Sequence, residues 1–263
     1  MKKWILRCLL LLFTVTFLVS GGLLLNYYWK DAEREADYDK LSNMVDSVRQ
    51  EPQYDVQLPE YEQVTDPKTG ELRQILREYA HVYLLNPDMV GWITIPGTKV
   101  DYPVMHRPEN TDYYLKRDFF QKSSAAGSIY VREECDVFAP SDNITIYGHR
   151  MNSGAMFGEL MEYKEQSFWE DHRHIRFDTL TQRNTYEIFA VFKISASTKN
   201  GFPYHTFVDM TEEEFTEFVN QCKTRSLYDT GITPQYGDHL ITLSTCEKGR
   251  SNTRFVVVAK GNL

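Results

Sequence analysis

A chain of 263 residues with 42% hydrophobic, 25% charged and 14% aromatic side chains can build one sizeable core without a metal or disulfide staple. Its formal net charge of −8, with no cluster of lysine and arginine, excludes the electrostatic footprint of a nucleic-acid binder, because phosphate recognition draws on basic patches.

The first thirty residues are a different material from the rest. Lys2, Lys3 and Arg7 precede an uncharged, mainly apolar run from Cys8 to Leu25, followed by Asn26, Tyr27, Tyr28, Trp29 and Lys30. As a helix that run reaches about 27 Å, close to the hydrocarbon thickness of a bilayer. Basic residues before it and aromatic residues after it indicate a single span with the N-terminus inside and the remainder outside. A cleaved signal peptide is the alternative, with Val19-Ser20-Gly21 as the cleavage site. The apolar run continues past that site through Leu23, Leu24 and Leu25, which favours a retained anchor. In both cases residues 30–263 work outside the cytoplasm.

Leu41, Met44, Val45 and Val48 recur at helical spacing and predict an amphipathic helix within 31–50. Residues 51–70, with three prolines and several acids, read as a connector. A second helix is expected to carry Leu72, Ile75, Leu76 and Tyr79 on one face and to stop at Asn86-Pro87-Asp88. From Val90 the texture changes to short β runs bounded by Gly, Pro, Asn or Asp: 90–96, 100–105, 127–131 and 143–147. Residues 158–172 read as short helical turns, with Phe157, Leu160 and Met161 buried. Strands follow at 174–178 and 186–196. Thr211 with Glu212, Glu213 and Glu214 forms a capping box that opens a helix over 211–225, its stripe made by Phe215, Phe218, Val219 and Cys222. Strands at 238–244 and 253–259 close the chain. The pattern predicts a mostly-β barrel with helical additions.

Of four cysteines, only Cys135, Cys222 and Cys246 lie beyond the apolar run, an odd number with no CxxC or metal-ligand spacing. Cys222 falls on a helix stripe and reads as a packed apolar residue. Cys135 sits in an acidic loop, which raises a thiol's pKa. Cys246 ends the β-branched run 240–246, and Arg254 opens the next one eight residues later. A cysteine thiol has a pKa of about 8.5 and needs a proton partner and an oxyanion donor to perform acyl transfer. A guanidinium is permanently charged and can stabilise a thiolate or an oxyanion. Among seven histidines, His149 stands out, because it ends the apolar run 144–147 and follows Gly148. His172-x-His174 has the look of two metal ligands without a third. On residues alone, Cys246 is either a buried strand cysteine or a nucleophile.

Thr242-Leu243-Ser244-Thr245-Cys246, with Arg254 downstream and Tyr147-Gly148-His149 about a hundred residues upstream, resembles the active-site signature of the sortases, membrane-anchored cysteine transpeptidases of Gram-positive bacteria. The segments 86–95, 98–104 and 110–115, the two N-terminal helices and the helix at 211–225 are similar to the class B branch. The resemblance implies a sortase-type β-barrel of about eight strands with those helical additions. It divides the chain into a cytoplasmic tip and transmembrane anchor (1–29), an N-terminal helical segment (30–85) and a catalytic barrel (86–263). It implies Cys246 as nucleophile, His149 as general acid/base and Arg254 as oxyanion or substrate-positioning residue, with Ser244, Glu247 and Tyr204 near the substrate. The implied partners are secreted proteins bearing a C-terminal sorting motif and an amine of the peptidoglycan. No cofactor or metal is expected. Pilin polymerisation through a lysine amine is the alternative within the family. A membrane-tethered binding module with structural Cys246 and His149 is the alternative outside it, and the local signatures of unrelated cysteine hydrolases are absent.

Overall fold

The computed structural model describes residues 2–50, 59–195, 201–246 and 253–261. The chain divides into two units, Met1–Asn43 and Met44–Leu263. The first unit is helical, formed by most of α1 (Lys2–Arg49). Trp4, Phe13, Phe17, Leu25 and Trp29 stand exposed along it, so this stretch has no core of its own to bury its apolar side chains. By length and composition α1 is able to cross a membrane. In the predicted amphipathic stripe, Leu41 and Val45 are buried and Met44 and Val48 are half-buried.

Residues 51–58 of the predicted connector lie outside the described residues, and its remainder, 59–70, and the start of the second helix differ from expectation. Tyr61–Thr65 (β1) and Leu72–Leu76 (β2) form an antiparallel hairpin, and α2 begins only at Arg77, running Arg77–Leu85. The turn explains this. The Asp66 carboxylate accepts from the Lys68 amide at 2.8 Å, and Gly70, at φ +74°, donates its amide to the Asp66 carbonyl. Leu72 and Ile75 have a spacing that also fits a helix, but Leu72 is 70% exposed, and Ile75 is buried with Leu76 at the end of a strand.

The remaining strands are β3 (Met89–Thr94), β4 (Asp101–Met105), β5 (Ile129–Val131), β6 (Asn143–Tyr147), β7 (His174–Thr179), β8 (Thr185–Ser195), β9 (Leu240–Cys246) and β10 (Thr253–Gly261). They close into a barrel in the order β10-β8-β7-β3-β4-β5-β6-β9. Pairing is antiparallel except for β4 with β5 and β6 with β9. A short helix α3 (Gln166–Asp171) lies in the β6–β7 connection with the turn Glu159–Lys164, and Phe157, Leu160 and Met161 are buried as predicted.

Alternation assigns the two faces of the barrel wall. Ile144, Ile146, Ile241, Leu243, Phe255 and Val257 fill the interior. The opposite face of β9 and β10, with Leu240, Val256 and Val258, packs under α4 (Glu212–Arg225) through Phe215, Phe218, Val219 and Cys222. Thr211 caps α4, and its hydroxyl and the Glu214 side chain each hydrogen-bond the other's backbone amide. Asn143 on β6 ties down the chain before α4, donating from Nδ2 to the Phe207 carbonyl at 2.9 Å and accepting from Thr242 at 2.8 Å.

Candidate active site

On the α4 side of the wall, the hydrophobic row of β9 turns polar toward its end: Leu240, Thr242, Ser244, Cys246. Antiparallel register sets Arg254 directly opposite Cys246, on the same face. Parallel register with β6 sets Tyr147 beside Ser244. Beyond Tyr147 the Gly148 amide donates to the Ser244 carbonyl at 3.2 Å, so the chain keeps the strand's direction for one more residue. Alternation then returns His149 to the face of Tyr147, Ser244 and Cys246. The intervening Gly148 points the other way, where a Cβ would lie 2.5 Å from Ile129 Cδ1 and 2.7 Å from the Phe157 ring. Only glycine fits there, which is why the run reads Tyr-Gly-His.

These residues line one cavity of about 570 Å³. Cys246 is half-exposed at its wall. His149 is anchored by Nε2, which lies 2.7 Å from the Leu115 carbonyl oxygen. A carbonyl only accepts, so Nε2 carries a hydrogen and Nδ1 is the atom left to gain and lose a proton. On the cavity floor the Tyr204 hydroxyl and Ser244 Oγ are hydrogen-bonded at 2.7 Å. Burial raises the Tyr204 phenol, against the opposing influence of the Ser244 hydrogen bond and the Arg254 charge. Burial likewise holds Tyr147 well above the ordinary tyrosine value, and its oxygen accepts from Arg132 Nη1 at 3.4 Å. Both phenols are therefore neutral donors at physiological pH. One permanent cation opposite a half-exposed sulfur, with a histidine presenting one free ring nitrogen, is an arrangement for thiolate acyl transfer.

The sortase domain family matches residues 93–262 of the chain. The chain belongs to the sortase family. Its relatives are of the B type: sortase B of Staphylococcus aureus is 28% identical over 252 residues, covering 95% of this chain and 93% of the relative. Sortase B of Listeria monocytogenes is 32% identical over 194 residues, 74% of this chain and 76% of the relative. Among solved structures, the Staphylococcus aureus sortase B–substrate complex superposes with a TM-score of 0.71 at 27% identity, covering 88% of this chain and 97% of that one. The closed eight-stranded barrel with its helical additions is the fold of those structures. This sortase is accordingly a cysteine transpeptidase.

The cavity brings together five of the six sequence-predicted residues, His149, Cys246, Arg254, Ser244 and Tyr204. Glu247 lies outside the described residues. Sequence reasoning missed Arg132 and the Leu115 carbonyl. Arg132 has no local signal, since it reaches the cavity by the pairing of β5 with β6, and a backbone carbonyl leaves no trace in residue type. The other thiols of this unit are inert. Burial pushes Cys135 up to about 11 and Cys222 well above the ordinary cysteine value, and both are free of disulfides. His172 of the His-x-His pair donates from Nδ1 to the Pro96 carbonyl at 2.8 Å, a structural bond.

Proposed function

We propose that this sortase cleaves a C-terminal sorting motif of secreted proteins through a thioacyl-enzyme on Cys246 and transfers them to an amine of the cell wall. The Cys246 thiol gives its proton to His149 Nδ1, and the resulting thiolate attacks the carbonyl carbon of a threonine in the motif, the S–C bond forming as the carbonyl oxygen takes up negative charge. Arg254 stabilises that oxyanion. Collapse breaks the C–N bond, and His149 delivers a proton from Nδ1 to the departing amine. In the second half an acceptor amine attacks the thioester, gives its proton back to His149 Nδ1 and expels the Cys246 thiolate. Ser244 and Tyr204, bonded to each other on the cavity floor, and Glu247, next in the chain after Cys246, contact the substrate. Residues 1–29 anchor the enzyme with the N-terminus inside, residues 30–85 form an N-terminal segment ahead of the barrel, and the catalytic domain over 86–263 faces outward.

The observation that carries this reading is the register that sets Arg254 opposite Cys246 while β6 delivers His149 to the same face of the same cavity. The test is mass spectrometry of the full-length enzyme in detergent after incubation with a library of sorting peptides and candidate amines. A thioester on Cys246 and a product joined to a peptidoglycan amine are expected, and both disappear in Cys246→Ala and His149→Ala. A product formed only with lysine side chains of a pilin would replace wall attachment by polymerisation. Unimpaired transfer by Cys246→Ala would remove the mechanism altogether.

A further inference from the structure

The carbonyl that anchors His149 is itself held from two sides, and one of the holding groups lies away from the cavity. Leu115 sits in a 3-10 turn, Tyr113–Lys116, in the connection between β4 and β5. The neighbouring carbonyls of that turn are taken: Tyr114 O accepts from the Ser128 amide at 3.0 Å and Lys116 O from the Ser124 amide at 3.0 Å. Leu115 O is turned to His149. From below, the Tyr114 ring is buried, and its hydroxyl donates to Asp88 Oδ2 at 2.6 Å and accepts from Asn86 Nδ2 at 2.9 Å. Asn86 also donates to the Phe119 carbonyl at 2.6 Å and accepts from the Asp88 amide at 3.0 Å. The Asp88 carboxylate is wholly buried, with Lys68 from the β1–β2 turn on one oxygen and Arg107 3.6 Å from the other.

A carboxylate is not buried without strong compensation. Terminating α2 needs only the Asn86 backbone, which already donates to the Tyr83 carbonyl at 3.1 Å. The buried charge is balanced by Lys68 and Arg107, and beside them it accepts a 2.6 Å hydrogen bond from a phenol whose next residue holds the histidine. From the other side Gly127, at φ +57°, lies against the turn, and a Cβ there would meet the Tyr114 and Leu115 carbonyl oxygens at 2.6 Å each.

We propose that Asp88 and Tyr114, with Asn86, form a positioning device that fixes the Leu115 carbonyl and through it the ring orientation and tautomer of His149. These residues touch neither substrate nor reacting atoms. They keep Nε2 protonated and Nδ1 presented to the cavity in the resting enzyme. The inference rests on His149 being the acid/base of the proposed reaction.

Tyr114→Phe in the full-length enzyme in detergent removes the hydroxyl and keeps the ring. It is expected to lower kcat about tenfold while KM stays within about twofold, because a small misplacement of a catalytic group acts on the reacting geometry and not on binding. In nitrogen-15 spectra of histidine-labelled protein, with His149 assigned by its loss in His149→Ala, the ring should move from the pure Nε2–H form to a mixture of tautomers. Gly127→Ala, which displaces Leu115 O from the opposite side, should shift the same signal and serves if Tyr114→Phe fails to fold. An unchanged kcat, or a kcat loss with an unchanged His149 tautomer, overturns the inference. If His149→Ala itself retains transfer, it is the proposed function that fails. If His149→Ala is dead and Tyr114→Phe is normal, only the positioning device does.

Discussion

At the scale of single residues, the proposed reaction draws on a charge that is permanent. Arg254 faces Cys246 across one antiparallel pair, and in the proposed reaction its guanidinium is the group that would meet the developing oxyanion. Arg254→Lys keeps the charge but loses the planar fork, and a fall in kcat/KM of about 10²-fold is expected with the fold intact. Near-normal turnover in that variant would take Arg254 out of its assigned role. Two histidines elsewhere give a different kind of test. Burial lowers both His106 and His205 from the ordinary value of 6.5, so the folded protein prefers their neutral rings. The unfolded chain then binds protons more readily, and the stability they contribute is present above pH 6.5 and is lost as pH falls toward their lowered values. The double variant His106→Gln/His205→Gln should flatten the decline in denaturation midpoint between about pH 7 and 5. An unchanged slope would show that other groups carry it.

At the scale of elements, the end of β6 decides where the histidine goes. Gly148 allows His149 to regain the face of Cys246 because Ile129 and Phe157 occupy the space of a side chain. In Gly148→Ala the β6 exit must shift outward or those two groups must move. A loss of transfer activity of tenfold or more is expected, read alongside the melting temperature to separate misplacement from unfolding. The helix over α4 was readable in advance, because its capping box and apolar stripe are local signals, and both are present. The hairpin β1–β2 was not. The β1 residues fall in the stretch read as a connector, the β2 residues have spacings that fit a helix as well as a strand, and what decided was the Asp66–Gly70 turn and cross-strand pairing. The true helix starts at Arg77.

At the scale of the whole molecule, one segment has the length and composition to cross a membrane. The apolar side chains of α1 from Trp4 to Trp29 stand exposed, which costs free energy in water and none in a bilayer. The full chain is expected in the membrane fraction, and a form lacking residues 1–29 in the aqueous one, with peptide cleavage retained. Recovery of the full chain without detergent would contradict anchoring. The long apolar N-terminal run, the β-rich texture and the α4 cap follow from local residue order, since periodicity and capping act between near neighbours, whereas Cys246, Arg254 and His149 were singled out by their resemblance to the sortase signature. What only the tertiary structure decided is contact across the chain. The parallel pairing of β6 with β9 joins strands about a hundred residues apart, and it brings His149 to the cavity that Cys246 lines. The same holds for the Leu115 carbonyl on the histidine and the buried Asp88 behind it. Such contacts form when the barrel closes and satisfies buried polar groups, and no local pattern encodes which distant group will be the partner.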